Sequence, residues 1–307
     1  MTIARSLLLA VALAPAGACV DMDSFVWNPR HCSLVDPAPE SFDCAERKMC
    51  TPCDAPLPFE AFGVPADHVE QVTIDVGEGV TNDAYFIRGS GARADLLMAY
   101  AHGNFGGIEH YLNRVGLLYQ SGADLFVLDY RGFGKSSTTA EPTEEQFNAD
   151  LLPARDAMIA RRGEGQALVI VGFSAGALAA TELALREPPC GLILENSWPS
   201  VQTFTDDSSF IGVPQSFLTT GSWDTIAKMP RITAPYLHLH GALDETVRHE
   251  LGRQVFDAAA SDDKSFLLVD GAEHGNFGDD VPTVMGPAYL ETIGDFLDHH
   301  LVCPSGA

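Results

Sequence analysis

The feature that most limits what this chain can fold into is a junction near its middle. An apolar run at 168–171 leads into Gly172-Phe173-Ser174-Ala175-Gly176, and the Ala- and Leu-rich stretch 175–186 follows without a spacer. A short apolar run bounded by glycine reads as a buried strand. A stretch dominated by Ala and Leu reads as a helix. The junction is therefore strand, sharp turn and helix, with one serine at the apex. Glycines at 172 and 176 suit a turn where neighbouring backbone passes close on both sides.

The same alternation runs through most of the chain. Residues 69–76 alternate as an edge strand would, and 84–88 read as its partner. Residues 96–101 form a compact apolar strand ending in His102-Gly103. Ile108, Leu112, Val115 and Tyr119 are apolar at helical spacing. Residues 125–128 read as a buried strand ending in Asp129. Thr143-x-x-Gln146 is a capping-box pattern that opens a helix, and Pro153 predicts a kink or a restart in it. Strands at 192–194, 236–239 and 266–269 complete the series, with helices predicted at 248–260 and 287–300. This order predicts an α/β fold with a mostly parallel central sheet and helices on both faces. In such sheets ligands bind beyond the carboxyl ends of the strands. The residues just after each strand are therefore the place to look for chemistry.

A serine hydroxyl is a poor nucleophile until a base takes its proton. The Gly172–Gly176 turn resembles a nucleophile elbow, and that resemblance implies an acid and a base further along the chain, in the order Ser, Asp or Glu, His. Asp244 follows the 236–239 strand in His240-Gly241-Ala242-Leu243-Asp244. His274 follows the 266–269 strand in Gly271-Ala272-Glu273-His274-Gly275. Each falls just past a strand, on the rim that carries Ser174. The expected roles are nucleophile for Ser174, general base for His274 and orienting acid for Asp244. The oxyanion of a tetrahedral intermediate needs preorganised donors. The backbone amides of Ala175 and Asn104 are the expected pair. Phe105, Phe173 and Trp198 lie near the same rim and are candidates for an acyl pocket. The chemistry calls for no metal and no organic cofactor.

These residues resemble those of the α/β-hydrolase superfamily. Within it, His102-Gly103-Asn104 and Asp129-Tyr130-Arg131-Gly132-Phe133-Gly134-Lys135-Ser136-Ser137 resemble one branch. That branch holds serine-aminopeptidase-like hydrolases, prolyl-oligopeptidase-type domains, acylglycerol lipases and depalmitoylating thioesterases. Leu194-Glu195-Asn196-Ser197 is similar to the branch's strand-end pattern, with Asn196 where Ser is common. The resemblance runs from about residue 69 to 300 and implies the α/β-hydrolase fold and hydrolysis of an acyl bond. Residues 196–235 stand where this superfamily often inserts a lid, and their weak helical pattern predicts a small one. A small lid favours soluble esters, then thioesters, then peptides or small amides. A non-catalytic binding protein on the same fold is the alternative from another class.

Several residues admit rival readings. His102, Asp129 and Ser174 stand in the order of a different serine-protease arrangement. Glu195 is a rival for the acid. His238 and His240, two apart on a strand, face one side and suggest a metal pair or plain packing. Arg131 and Lys135 would bind a substrate carboxylate or hold their loop.

The N-terminus reads as an export signal over residues 1–18: Arg5, a brief apolar run, then Pro15-Ala16-Gly17-Ala18. Ala16-Gly17-Ala18-Cys19 also resembles a bacterial lipobox, with Ala16 where Leu is usual, and that resemblance implies a lipid on Cys19. The seven cysteines stand at 19, 32, 44, 50, 53, 190 and 303. With Cys19 lipidated, six remain for three disulfides. Residues 19–65 form a Cys- and Pro-rich segment, with 55–65 read as a linker, and 66–307 form the main domain. Zinc is the rival use of Cys50-x-x-Cys53 with Cys32, Cys44 or His31. The expected location is the cell envelope, periplasm or exterior. Lys+Arg is 18 against Asp+Glu 42, a formal charge of −24. Such a surface repels nucleic acid, because phosphate contacts need Lys and Arg. Contact with a membrane is expected only through the N-terminal lipid.

Overall fold

A computed structural model describes residues 31–32, 51–138, 142–207, 221–275 and 279–304. The expected signal at 1–18, Cys19, Cys44, Cys50 and residues 208–220 of the expected lid lie outside the described residues. The strands are β1 (Val69–Gly77), β2 (Val80–Ile87), β3 (Leu96–Ala101), β4 (Asp124–Leu128), β5 (Ala167–Phe173), β6 (Gly191–Glu195), β7 (Tyr236–Gly241) and β8 (Lys264–Val269). They form one sheet in the order β1-β2-β4-β3-β5-β6-β7-β8. Only β2 runs against its neighbours; β3 to β8 are parallel. This is the mostly parallel sheet that the sequence pattern predicts, and it has the α/β-hydrolase fold that the resemblance implies.

The strand sequences explain their places. Every residue of β3, β6 and β7 is buried, as parallel strands covered on both faces require. Strand β1 buries only Val72 and Ile74, and sits at the edge. The period-2 alternation then sorts the core into two layers. Leu97 and Ala99 of β3 face helices α2 (Glu144–Ile159), α3 (Gly176–Arg186) and α5 (His249–Ala258). Met98 and Tyr100 face α1 (Leu112–Tyr119) and α7 (Pro287–His299) on the other side. Two shorter helices, α4 (Val201–Asp207) and α6 (Val281–Met285), follow β6 and β8.

Local signals hold where the chemistry is local. Both hydrogen bonds of the Thr143–Gln146 capping box form at the start of α2. Other expectations yield to tertiary packing. Pro153 lies inside α2, which runs on without a restart, because Leu151, Ala154 and Met158 bury their side chains on both sides of it. The helical stretch at 108–119 begins as a 3-10 turn (Ile108–Tyr111) before α1. The stretch read as a linker is anchored: Leu57, Phe59 and Val64 are buried, and the Phe59 ring lies 5.0 Å from Tyr85.

Cys190, just before β6, is bonded to Cys303, just after α7, and Cys32 is bonded to Cys53. The disulfide takes the Cys32 and Cys53 sulfurs that the zinc reading needs as thiolates, although His31 lies close to both. The Cys190–Cys303 bond spans 113 residues. Replacing both cysteines with alanine should lower stability by about 2–5 kcal/mol. Urea denaturation reads this, and an unchanged midpoint would show that the bond contributes nothing to the folded state.

Candidate active site

Ser174 sits between β5 and α3 with φ of 54°, a conformation that L-residues seldom adopt. The surroundings hold it there. Its amide donates to the Glu195 carbonyl at 2.9 Å, and its own carbonyl accepts from Ala177 and Trp198, both at 3.0 Å. The flanking glycines are sterically required. A Cβ on Gly176 would lie 2.1 Å from the Ala101 carbonyl oxygen, and one on Gly172 would lie 2.8 Å from the Ala180 Cβ. The first turn of α3 thus rests on the end of β3, and Gly103 comes up against Ser174.

The three residues expected to act together do meet. Ser174 Oγ lies 2.8 Å from His274 Nε2, and His274 Nδ1 lies 2.7 Å from Asp244 Oδ2. Ser174 and Asp244 are buried, and His274 is partly exposed. The turn after β7 sets the carboxylate: Asp244 Oδ1 accepts the amides of Thr246 at 2.9 Å and Val247 at 2.8 Å. Burial alone would push the Asp244 carboxyl up. The charge of His274 and the N–H bonds from His240 and His274 outweigh it and bring it down to about 2. At neutral pH this carboxylate only accepts. In its neutral form His274 therefore carries its proton on Nδ1 and presents the Nε2 lone pair to the Ser174 hydroxyl.

Asn196, just after β6, links the end of β7 to the loop after β8. Its side-chain oxygen accepts from Gly241 N at 2.9 Å, and its Nδ2 donates to the Glu273 carbonyl at 3.3 Å. Ala175 is the N-cap of α3, where amides have no partner inside the helix. Asn104 follows Gly103 in the loop after β3. These are the two expected oxyanion donors.

The rival readings are corrected by what each side chain touches. Glu195 is no partner of His274: its Oε1 pairs with Arg114, and its Oε2 accepts from the Tyr289 hydroxyl at 3.2 Å. His102 is fully buried, with Nε2 3.1 Å from Asp129 and Nδ1 2.7 Å from the Gly103 carbonyl, so it anchors its loop. Arg131 grips Asp150 through two 2.8 Å bonds, and Lys135 donates to the Ala55 carbonyl. Both hold structure. The His238 and His240 rings bond to each other, not to a shared open point. Of the pocket aromatics, Phe173 lies 5.5 Å from the His274 ring, and Phe105 sits on the Tyr111 side of the loop. Trp198 is taken up by packing: it stacks on Phe204 at 4.8 Å and donates to the Trp223 carbonyl at 3.0 Å.

One cluster behind the site has no sequence signature. Arg114 on α1 pairs with Glu195 at the end of β6 and, at 2.9 Å, with Asp280, which also caps α6. The Arg114 guanidinium lies 3.9 Å over the face of Phe173, which in turn backs His274. An arginine in a short apolar helix carries no hint of partners 81 and 166 residues away.

The sheet order and the strand-turn-helix serine define the α/β-hydrolase fold. Comparisons with known proteins agree. The pattern of the serine aminopeptidase, S33 family matches residues 92–210. Human alpha/beta hydrolase domain-containing protein 17B is 27% identical over 242 residues, 77% of each chain. The Caenorhabditis elegans alpha/beta hydrolase domain-containing protein aho-3 is 28% identical over 66% of this chain, which spans only 57% of that relative. Among solved structures, an esterase of Pyrococcus furiosus superposes with a TM-score of 0.62 at 19% identity, covering 80% of this chain and 96% of its own. A soluble variant of Saccharomyces cerevisiae monoglyceride lipase gives 0.59 at 16% identity, covering 81% of this chain and all of its own.

Removing Arg114 would strand two buried carboxylates. Arg114→Leu should cost about 3–5 kcal/mol of stability. Arg93→Ala, which breaks the solvent-exposed pair with Asp298, should cost less than about 1 kcal/mol. Parallel denaturation curves compare them, and equal losses would remove the case for a tightly coupled buried cluster.

Proposed function

We propose that this protein is a serine hydrolase that cleaves carboxylic esters or thioesters of small molecules through an acyl-enzyme on Ser174. The carrying observation is the continuous bonding from Ser174 Oγ through His274 to Asp244, at 2.8 and 2.7 Å. His274 Nε2 takes the hydroxyl proton as Ser174 Oγ bonds to the substrate carbonyl carbon. Asp244 stabilises the resulting imidazolium, and the amides of Ala175 and Asn104 receive the oxyanion. The tetrahedral intermediate collapses by breaking its bond to the leaving alcohol or thiol, which takes the proton from His274. Water then repeats the sequence on the acyl-enzyme and releases the acid. Ester chemistry is favoured over peptide chemistry by the named esterase and lipase among the structural neighbours; the aminopeptidase description of the matched family supports an amide-cleaving second reading.

Export belongs to the same proposal. The short signal-like N-terminus supports it, and so do the Cys32–Cys53 and Cys190–Cys303 bonds, since disulfides persist in oxidising compartments. Intact mass of the protein from cell fractions reads both cleavage and a lipid on Cys19.

A fluorophosphonate probe should modify Ser174 in the wild type and neither Ser174→Ala nor His274→Ala. Turnover of p-nitrophenyl esters should fall by at least about a thousandfold in both variants. Asp244→Asn should fall by about a hundredfold or more, because the wrong tautomer of His274 is then favoured. A folded wild type that takes no label, or a Ser174→Ala protein that keeps full turnover, would defeat the proposal. The first result would direct attention to a binding role.

A further inference from the structure

A row of buried polar side chains runs along β7 toward the proposed acid. Tyr236 Oη lies 2.5 Å from His238 Nδ1, and His238 Nε2 lies 3.1 Å from His240 Nδ1. His240 Nε2 lies 2.9 Å from the Val247 carbonyl oxygen and 3.5 Å from Asp244 Oδ2. Tyr236, His238 and His240 are almost wholly buried, and successive members stand two residues apart on one face of the strand. Helix α5 closes over them at Gly252, where a Cβ would lie 2.2 Å from His240 Nδ1.

The direction of this chain follows from its far end. A carbonyl oxygen only accepts, and so does an ionised carboxylate. His240 Nε2 must therefore carry a hydrogen, which it donates to Val247 with Asp244 close by. In a neutral ring this leaves Nδ1 as an acceptor, so His238 Nε2 must donate to it. His238 Nδ1 is then an acceptor for the Tyr236 hydroxyl. Each member allows one tautomer of the next. A ring so fixed keeps one N–H 3.5 Å from the same oxygen of Asp244 that receives His274 Nδ1.

We propose that His240 is a positioning residue for the reaction: locked in its Nε2–H tautomer by Tyr236 and His238, it holds the Asp244–Val247 turn and shares the charge of Asp244 with His274. The inference rests on the reading of Ser174, His274 and Asp244 given above. The bond from His240 also helps hold the Asp244 carboxyl down at about 2 against its burial. The charged and titratable groups around the row are Asp244 in the turn, Glu250 and Arg253 on α5, and His274 beyond Asp244. From β8 the neighbour is Phe266, whose ring is stacked 4.7 Å from His238.

An N–H on Asp244 disperses its negative charge. Without it the carboxylate holds the imidazolium of His274 more strongly, and the pKa of His274 rises. The acid limb of the kcat/KM profile reports that protonation in the free enzyme. With p-nitrophenyl butyrate, His240→Leu should move the acid limb up by about half a pH unit or more. His240→Gln, whose amide N–H can reach the same place, should return it most of the way. Imidazole nitrogen NMR of the wild type should show both His238 and His240 in the Nε2–H tautomer across the range in which His274 titrates. An Nδ1–H tautomer at His240, or acid limbs that coincide in all three proteins, would overturn the proposal. If His240→Leu does not fold, the wild-type tautomer decides alone. Fluorophosphonate labelling alongside separates two failures: an unlabelled Ser174 defeats the underlying reading, and a labelled Ser174 with an Nδ1–H His240 defeats only this one.

Discussion

The first turn of α3 passes so close over the end of β3 that no side chain fits at Gly176. That single approach sets much of what surrounds it. It lets Ser174 stand at a positive φ, held by the Glu195 carbonyl behind it and by Trp198 and Ala177 ahead. It also brings the His102–Gly103 loop against the serine. Because β3, β5, β6, β7 and β8 are parallel, their following loops all open on one rim. Ser174, Asp244 and His274 are 70 and 30 residues apart in sequence and consecutive in hydrogen bonding.

The rim is stiffened by polar groups that pack deliberately against one another. Asn196, just after β6, ties the end of β7 to the loop after β8 with two bonds from one side chain. Arg114, Glu195 and Asp280 form a buried ionic cluster behind Phe173 and so behind His274. Buried charges of this kind cost desolvation and are retained only where each is met by a partner. Here the partners come from α1, from the end of β6 and from the cap of α6, so the cluster joins three elements around the His274 loop.

The two faces of β7 show how one strand serves two purposes. Leu237 and Leu239 fill the layer beneath α7. Tyr236, His238 and His240 fill the layer beneath α5 with polar groups that satisfy one another in sequence. An apolar strand would pack as well. The polar face carries fixed N–H direction toward the turn that holds Asp244, which hydrocarbon cannot do.

Much of this was legible in the sequence, because strand, turn and capping signals are local. The boundaries of β3 and the capping box at Thr143 follow from neighbouring residues alone, and the serine turn follows from its two glycines. The order of Ser174, Asp244 and His274 follows from residues placed just after apolar runs. What remained open depended on partners distant in sequence. Glu195 is ruled out as the acid only by Arg114 and Tyr289, 81 and 94 residues away, which occupy its oxygens. His102 was a rival base until Asp129 and the surrounding rings enclosed it. Pro153 signalled a break that the packing of α2 overrode, and residues 55–65 signalled a linker that Leu57, Phe59 and Val64 anchor in the core. Sequence by itself determined which elements form and which residues stand at strand ends, since these follow from periodicity and backbone preference. Tertiary structure decided which carboxylate meets which imidazole, since that depends on contacts no local pattern encodes.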